Sequence, residues 1–240
     1  MKTKRDRYLI TCEHGGNVVP PLYRPLFANR NALLESHRGW DPGALALARD
    51  LARALKAPLL YARVSRLVID LNRSIGHPRL YSDVTRTTPR ETRMEILTRH
   101  YLPYRNRAEE HIALAVAQGS RVVHVSSHSF TPILHGKERK ADVGLLYDPT
   151  RPQEVALSRL WQAALKTSAP ALKVRRNYPY AGTSDGFTAY LRRRFAPKDY
   201  VGIELEINQK HVTREIKIWR DLRARIASSL LNVLESREIT

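Results

Sequence analysis

Cysteine and acidic residues are both scarce in this chain. One of its 240 residues is cysteine, Cys12, so no disulfide can form within the chain, and a single thiol is typical of a reducing compartment. The chain has 23 acidic residues and 41 lysines and arginines, which gives a formal net charge of +18. Apolar runs stay shorter than the roughly 20 residues that a membrane-spanning helix needs. Glu13 and His14 follow the basic residues 1–7 too closely for a signal-peptide core. We therefore expect a soluble, cytoplasmic protein.

The remaining composition is that of a globular protein. Hydrophobic residues make up 42% of the chain and charged residues 27%, which excludes a disordered or fibrous class. The sequence contains neither internal repeats nor an evident linker. We therefore expect residues 1–240 to form a single domain with a large buried core.

The excess of positive charge indicates one class of function that is not enzymatic. Basic surfaces bind nucleic acid through phosphate contacts. The arginines are scattered along the chain, however, and no helix-turn-helix, zinc-finger or RNA-recognition pattern accompanies them. A basic nucleic-acid-binding protein stays an alternative that the sequence does not favour.

Segments typical of strands alternate with segments of helical apolar spacing. Helices are predicted from Asp41-Pro42, from a capping box at Thr88 to about Gln118 with a break near Pro103, after Asp148-Pro149-Thr150 through Leu165, and over 213–234. Strands are predicted at 8–13, 59–64, 67–71, 121–127, 143–147 and 200–207. This alternation predicts an α/β fold: a three-layer αβα sandwich with a mostly parallel or mixed central sheet.

Three predicted strands end in polar residues that suit metal chemistry. Ligands of open α/β sheets bind beyond the carboxyl ends of the strands. Two histidines and one carboxylate form the ligand set of a catalytic zinc with a free position for water, and His14, Asp41 and His128 fit that set. A further carboxylate, for which Glu206 is suited, can act as general base on the water.

Each of these residues also has a simpler interpretation. Asp41 before Pro42 is a good helix N-cap, and either histidine can be a hydrogen-bonded loop residue. Glu204 and Glu206 alternate on a strand and share one face, which can be a solvent face. The compact metal-binding signatures are absent, so spacing by itself leaves the metal site undecided.

Five motifs, in order over nearly the whole chain, resemble the N-formylglutamate amidohydrolase family. They are Glu13-His14-Gly15-Gly16, Gly39-Trp40-Asp41-Pro42-Gly43-Ala44, Asp70-Leu71-Asn72-Arg73, His128-Ser129-Phe130 and Glu206-Ile207-Asn208. Any one of them is weak, whereas five in the family's order are specific. The resemblance implies a phosphorylase/hydrolase-like fold similar to that of the zinc carboxypeptidases, and an amidohydrolase.

The resemblance also implies a site. Zn²⁺ would be held by His14, Asp41 and His128, with Glu206 as general base and acid and Glu204 as the second choice for that role. The expected substrate is a small anionic N-acyl amino acid, such as N-formylglutamate, cleaved at a linear amide.

Arginine suits the carboxylate of such a substrate, and Arg73 with its neighbour Asn72 is the first choice. The turn-rich segment that begins at Arg176, Asn177 and Tyr178 resembles a substrate loop of the family, although its Gly, Pro, Asn and Asp are ordinary turn formers. For Arg73 the simpler interpretation is a surface salt bridge.

The segment around His128 departs from the enzymes of histidine degradation and is similar to a less characterised branch of the family. The specific acyl group therefore stays open, as does the oligomeric state. An amidase or carboxypeptidase-like hydrolase of peptide or cell-wall fragments is the alternative with the same chemistry.

Overall fold

A six-stranded sheet forms the centre of the protein, for which a computed structural model describes residues 4–213 and 215–238. The strands of the sheet lie in the order β2-β1-β3-β8-β6-β7. A separate two-stranded hairpin joins β4 to β5. The strands are β1 (Asp6–Cys12), β2 (Leu59–Tyr61), β3 (Arg121–Phe130), β4 (Ile133–Leu134), β5 (Lys137–Glu138), β6 (Val143–Leu146), β7 (Val174–Arg176) and β8 (Tyr200–Asn208).

Helices cover both faces of this sheet. They are α1 (Asn31–Glu35), α2 (Ala44–Ala54), α3 (Arg90–Ile96), α4 (Leu102–Ala117), α5 (Pro152–Ser168), α6 (Phe187–Arg194) and α7 (Ile216–Glu238). A π-helical turn, Leu97–Tyr101, joins α3 to α4, and short 3₁₀ helices span Pro21–Phe27 and Gln209–His211. Among the described residues, no helix combines the length and the apolar character needed to cross a lipid bilayer.

Two apolar clusters define the three layers. On one face, Leu51 of α2, Trp161 of α5 and Ile226 of α7 pack against Val123 and Ile203 of the sheet. On the other face, α4 and α6 pack against the sheet through Ala108, Ile112 and Leu191. The predicted αβα sandwich with a mostly parallel, mixed sheet is confirmed.

The register of β8 places its carboxylates beside β3. The two strands run parallel and pair over nine residues, with Glu204 opposite Ser126 and Glu206 opposite His128. On its other side β8 runs antiparallel to β6, where Gly144 is opposite Glu206. Both residues therefore lie on a central strand and project from the same face of the sheet.

Three local expectations are wrong. The segment 67–71 is an irregular loop that buries its apolar side chains in a separate cluster with Tyr23 and Ile96, not a strand. Asp41 is not the N-cap, because α2 begins at Ala44 after Gly43 in the left-handed region. Thr88 forms no capping box, since its hydroxyl donates to the carbonyl oxygen of Thr85.

Candidate metal centre and active site

Three buried side chains meet where β1 and β3 end and α2 begins. The carboxylate oxygen Oδ2 of Asp41 lies 3.3 Å from Nδ1 of His14 and 2.9 Å from Nδ1 of His128. One potential ligand atom from each residue lies within 4.8 Å of the others. The amide of Asp41 also donates to the carbonyl oxygen of His14 at 2.9 Å, which couples the two loops. The three residues that the sequence predicts as ligands are thus brought together.

The second nitrogen of each histidine bonds to a buried acidic residue. Nε2 of His14 lies 2.7 Å from Oδ1 of Asp70, and Nε2 of His128 lies 3.1 Å from Oε2 of Glu13. Carboxylates in this position fix the orientation and tautomer of metal-binding histidines. Both rings are therefore held with Nδ1 toward Asp41, and two imidazole nitrogens with one carboxylate oxygen fit a divalent metal ion.

Interactions within the cluster oppose the effect of burial on the pKa of these groups. Burial by itself would raise the pKa of Asp41, but the electrostatic interaction with His14 and a hydrogen bond from His128 hold that pKa well below its ordinary value. Burial would lower the pKa of His128, yet its hydrogen bonds to Asp41 and Glu13 hold it well above the ordinary value. The carboxylate of Asp41 is thus ionised, as metal binding requires, whereas His128 has to release its proton when a metal binds.

Arg66 holds two of these carboxylates at once, a role that the sequence analysis missed. Its Nη1 donates to Oδ1 of Asp41 at 3.4 Å, and its Nη2 donates to Oδ2 of Asp70 at 2.8 Å. The oxygen Oδ2 of Asp41 is thereby left for the two histidines. No periodic pattern in the sequence indicates this role, because Arg66 and Asp70 lie in a loop without regular structure. Asp70 and Glu13 lie within quoted motifs, but their orienting roles were not predicted.

Glu206 is a buried carboxylate without a partner. It is 6% exposed, and its Oε2 has no hydrogen-bond partner among the described residues. Burial raises the pKa of Glu206 to about 8; the nearby His128 opposes this rise, and the negative charges of Asp41 and Glu204 add to it. Its carboxyl group can therefore hold or release a proton near neutral pH.

Glu204 shares the face of Glu206 but not its surroundings. It is 8% exposed and accepts a hydrogen bond from the hydroxyl of Thr188 in the first turn of α6. The simpler interpretation of this strand face as a solvent face is wrong for both residues. Glu204 is hydrogen-bonded to a residue of α6, whereas Oε2 of Glu206 has no hydrogen-bond partner among the described residues. Glu206 is also the residue that pairs with His128 across the two strands.

Arg73 and Asn72 contact the loop that leads into α6. One guanidinium nitrogen of Arg73 donates to the carbonyl oxygen of Asp185, while its Nε is buried without a partner among the described residues. The side-chain carbonyl of Asn72 accepts from the amide of Phe187, the first residue of α6. Arg73 thus keeps a free donor, and the oxygen of Asn72 is already used.

The predicted substrate loop is anchored by its own side chains. Asn177 has a φ of +48°, and its Oδ1 accepts from the amides of Tyr147 at 2.9 Å and Gly182 at 3.1 Å. Arg176 donates to the hydroxyl of Tyr147 at 3.3 Å. The ring of Tyr178 packs edge-on against Phe130, two residues beyond His128. Tyr178 therefore contacts the strand that carries His128, whereas the oxygen of Asn177 holds the loop.

Together the fold and this cluster define a class: an α/β protein with a candidate metal centre at the carboxyl ends of its sheet. A family profile described as N-formylglutamate amidohydrolase matches residues 6–213. The chain belongs to the N-formylglutamate amidohydrolase family, whose members are hydrolases of amide bonds.

Two solved structures share the fold of this chain. The gene product Atu2144 from Agrobacterium tumefaciens is 32% identical, with a TM-score of 0.83, and the match covers 98% of this chain and 93% of that one. The N-formylglutamate amidohydrolase from Ralstonia eutropha JMP134 is 19% identical, with a TM-score of 0.73 and coverage of 99% and 96%, and this likeness shows the fold. No protein of curated function matches the sequence.

Proposed function

We propose that the protein is a zinc-dependent amidohydrolase that cleaves the linear amide of an N-formyl or other N-acyl amino acid. His14, Asp41 and His128 would hold the zinc ion. The observation that carries the proposal is the buried His-Asp-His cluster with the unpartnered carboxyl group of Glu206 beside it. Both histidines keep their second nitrogens bonded to carboxylates, an arrangement that a structural hydrogen-bond cluster does not need.

The bound zinc would polarise the substrate carbonyl and make its water more acidic. Glu206 would take the proton from the attacking water and pass it to the leaving nitrogen. Its pKa of about 8 suits this exchange, because a proton carrier works best when its pKa lies near the working pH. Glu204 is the second choice, since its bond to Thr188 leaves it less free to move a proton.

The substrate would be anionic. Arg73 offers a buried, unpartnered Nε, and an arginine fork binds a carboxylate through two parallel hydrogen bonds. The carbonyl of Asp185 holds one arm of Arg73, so the guanidinium group is oriented before substrate arrives. Tyr178 would line the same space from the side of Phe130. We place this reaction in the cytoplasm, as the single cysteine suggests.

The metal is tested on purified protein by elemental analysis. We expect close to one zinc per chain, lost in His14→Ala and in His128→Ala but kept in the control His111→Ala, a half-buried histidine of α4. Glu206→Gln should keep zinc and lose turnover. Full zinc content in both histidine variants would refute the ligand set, and unchanged turnover in Glu206→Gln would refute the proton carrier.

The substrate class is tested with a panel of N-formyl and N-acetyl amino acids. For the substrate that reacts, Arg73→Gln should raise KM at least tenfold, since a charge-assisted bond to the carboxylate is lost. The matched substrate with its carboxylate converted to a carboxamide should react equally with both proteins. Activity on peptide or cell-wall fragments combined with none on the panel would overturn this substrate class.

A further inference from the structure

A cavity of about 530 Å³, separate from the candidate metal centre, lies between the edge strand β2 and the helical segment that includes the start of α4. Its volume is in the range of small-molecule binding sites. Within the described residues, its walls contain none of the proposed ligands of zinc, proton carriers or substrate contacts. The walls are formed by the segment 59–64, by Ile69 and Leu71, and by residues between Arg99 and Arg107.

The residues that line this cavity carry more positive than negative charge. Arg63, Arg99, Arg107 and His100 line it, and no carboxylate is among the described lining residues. Arg99 pairs with Glu95 at 2.8 Å. In the part of the chain that the structure describes, the guanidinium groups of Arg63 and Arg107 form neither a hydrogen bond nor an ion pair. The Nε2 atom of His100 is likewise buried without a partner there.

The interior of the cavity is apolar. Leu60, Ile69 and Leu71 are all nearly fully buried and contribute to its surface. An apolar interior with charged groups on one rim is the arrangement by which proteins bind organic ions.

One helical face lines the opposite wall. His100, Pro103, Tyr104 and Arg107 follow the spacing i, i+3, i+4 and i+7, which is the face that a helix normally packs against a core. The π-helical turn Leu97–Tyr101 lies at the start of this face, and such turns are frequent at functional sites. In this protein that helical face borders the cavity beside the edge strand β2. The wall is thus built from regular elements on both sides.

We propose that this cavity binds a small organic anion, namely a carboxylate attached to an apolar group. The carboxylate would accept hydrogen bonds from the guanidinium groups of Arg63 and Arg107, which have no other partner among the described residues. The apolar part would lie against Leu60, Ile69 and Leu71. The proposal does not depend on the reaction at the metal centre, because the two sites use different residues.

Binding is measured by titrating 2-naphthoate into the full-length protein and recording the heat. We expect one site per chain, and the double variant Arg63→Gln/Arg107→Gln should bind at least tenfold more weakly. The control Arg5→Gln/Arg159→Gln changes the net charge equally at exposed positions outside the cavity and should bind as the parent does. Arg73→Gln should also bind normally, since it changes only the proposed substrate site.

Three outcomes would overturn the proposal. Absence of binding at millimolar 2-naphthoate would show that the cavity does not take this class of ligand. Equal weakening in both double variants would show attraction by net charge without a site. Loss of binding in Arg73→Gln, with the Arg63→Gln/Arg107→Gln variant unaffected, would place the ligand at the substrate site. Thermal unfolding of each variant checks that the fold is kept, and the single variants Arg63→Gln and Arg107→Gln replace the pair if it unfolds.

Discussion

Glu206 should lower the stability of the metal-free protein at neutral pH, and Glu206→Gln should restore it. The burial of this side chain raises its pKa from 4.5 to about 8. In the unfolded chain the carboxyl group loses its proton near its ordinary pKa, whereas in the folded chain it keeps the proton to about pH 8. The unfolded state is therefore increasingly favoured as the pH rises between these two values.

The size of the effect follows from this difference in pKa. Each pH unit corresponds to about 1.4 kcal/mol, so the full difference is about 5 kcal/mol. Below pH 4.5 both states hold the proton and the stability is fully present. It is lost as the pH rises, by about 3 kcal/mol at pH 7 and by the whole amount above pH 8. A glutamine keeps the shape of the side chain but cannot ionise.

The assay is urea unfolding followed by circular dichroism, at several pH values from 5 to 9 and with a chelator present throughout. The free energy of unfolding of Glu206→Gln should exceed that of the parent by an amount that grows with pH and levels off above pH 8. A control, Glu235→Gln, removes an exposed carboxylate of α7 and should differ from the parent by less than about 0.5 kcal/mol. A Glu206→Gln difference that stays constant from pH 5 to 9 would refute the reasoning.

Three further changes test the supports of the site. Arg66→Met should lower the affinity for zinc by about 10–100-fold in chelator competition, because Asp41 and Asp70 lose their common partner; an unchanged affinity would contradict this. Asp70→Asn should weaken zinc binding in the same assay and range, since the ring of His14 loses its negative partner. Gly144→Ala should reduce the free energy of unfolding by about 3 kcal/mol or more, because the added Cβ would lie 1.9 Å from a backbone carbonyl oxygen. The melting temperature should fall accordingly, and a melting temperature equal to that of the parent would disprove this prediction.

The layers of the fold could be predicted because they depend on regular apolar patterns. The strand ending in Ser127 and the strand over 200–207 were both recognised, and each extends slightly further in the structure. The segment 67–71 was misread because a short apolar run is equally typical of a buried strand and of a buried loop. The short elements β7 and α6 were missed, since three and eight residues carry little periodicity.

The candidate ligands could be predicted from residue type and motif order, but their supports could not. His14, Asp41 and His128 lie near the ends of strands or the start of a helix. Histidines and carboxylates at such positions are typical of ligand-binding sites in α/β proteins. Arg66 lies in a loop without regular structure, and its role follows from two contacts, one of them with a residue 25 positions away. A sequence contains arginine at many such positions, and only the folded loop shows which one meets two buried carboxylates.

The local backbone explains why Asp41 is a candidate metal ligand and not a helix N-cap. A helix that began at Pro42 would turn the Asp41 carboxylate toward its own amides. Instead Gly43 has a φ of +81°, which delays α2 to Ala44 and leaves the carboxylate facing the two histidines. A Cβ at Gly43 would also lie 2.6 Å from the side chain of Val212. The position of the candidate ligand Asp41 therefore depends on Gly43. Two independent observations indicate a glycine there: the positive φ and the lack of space for a Cβ.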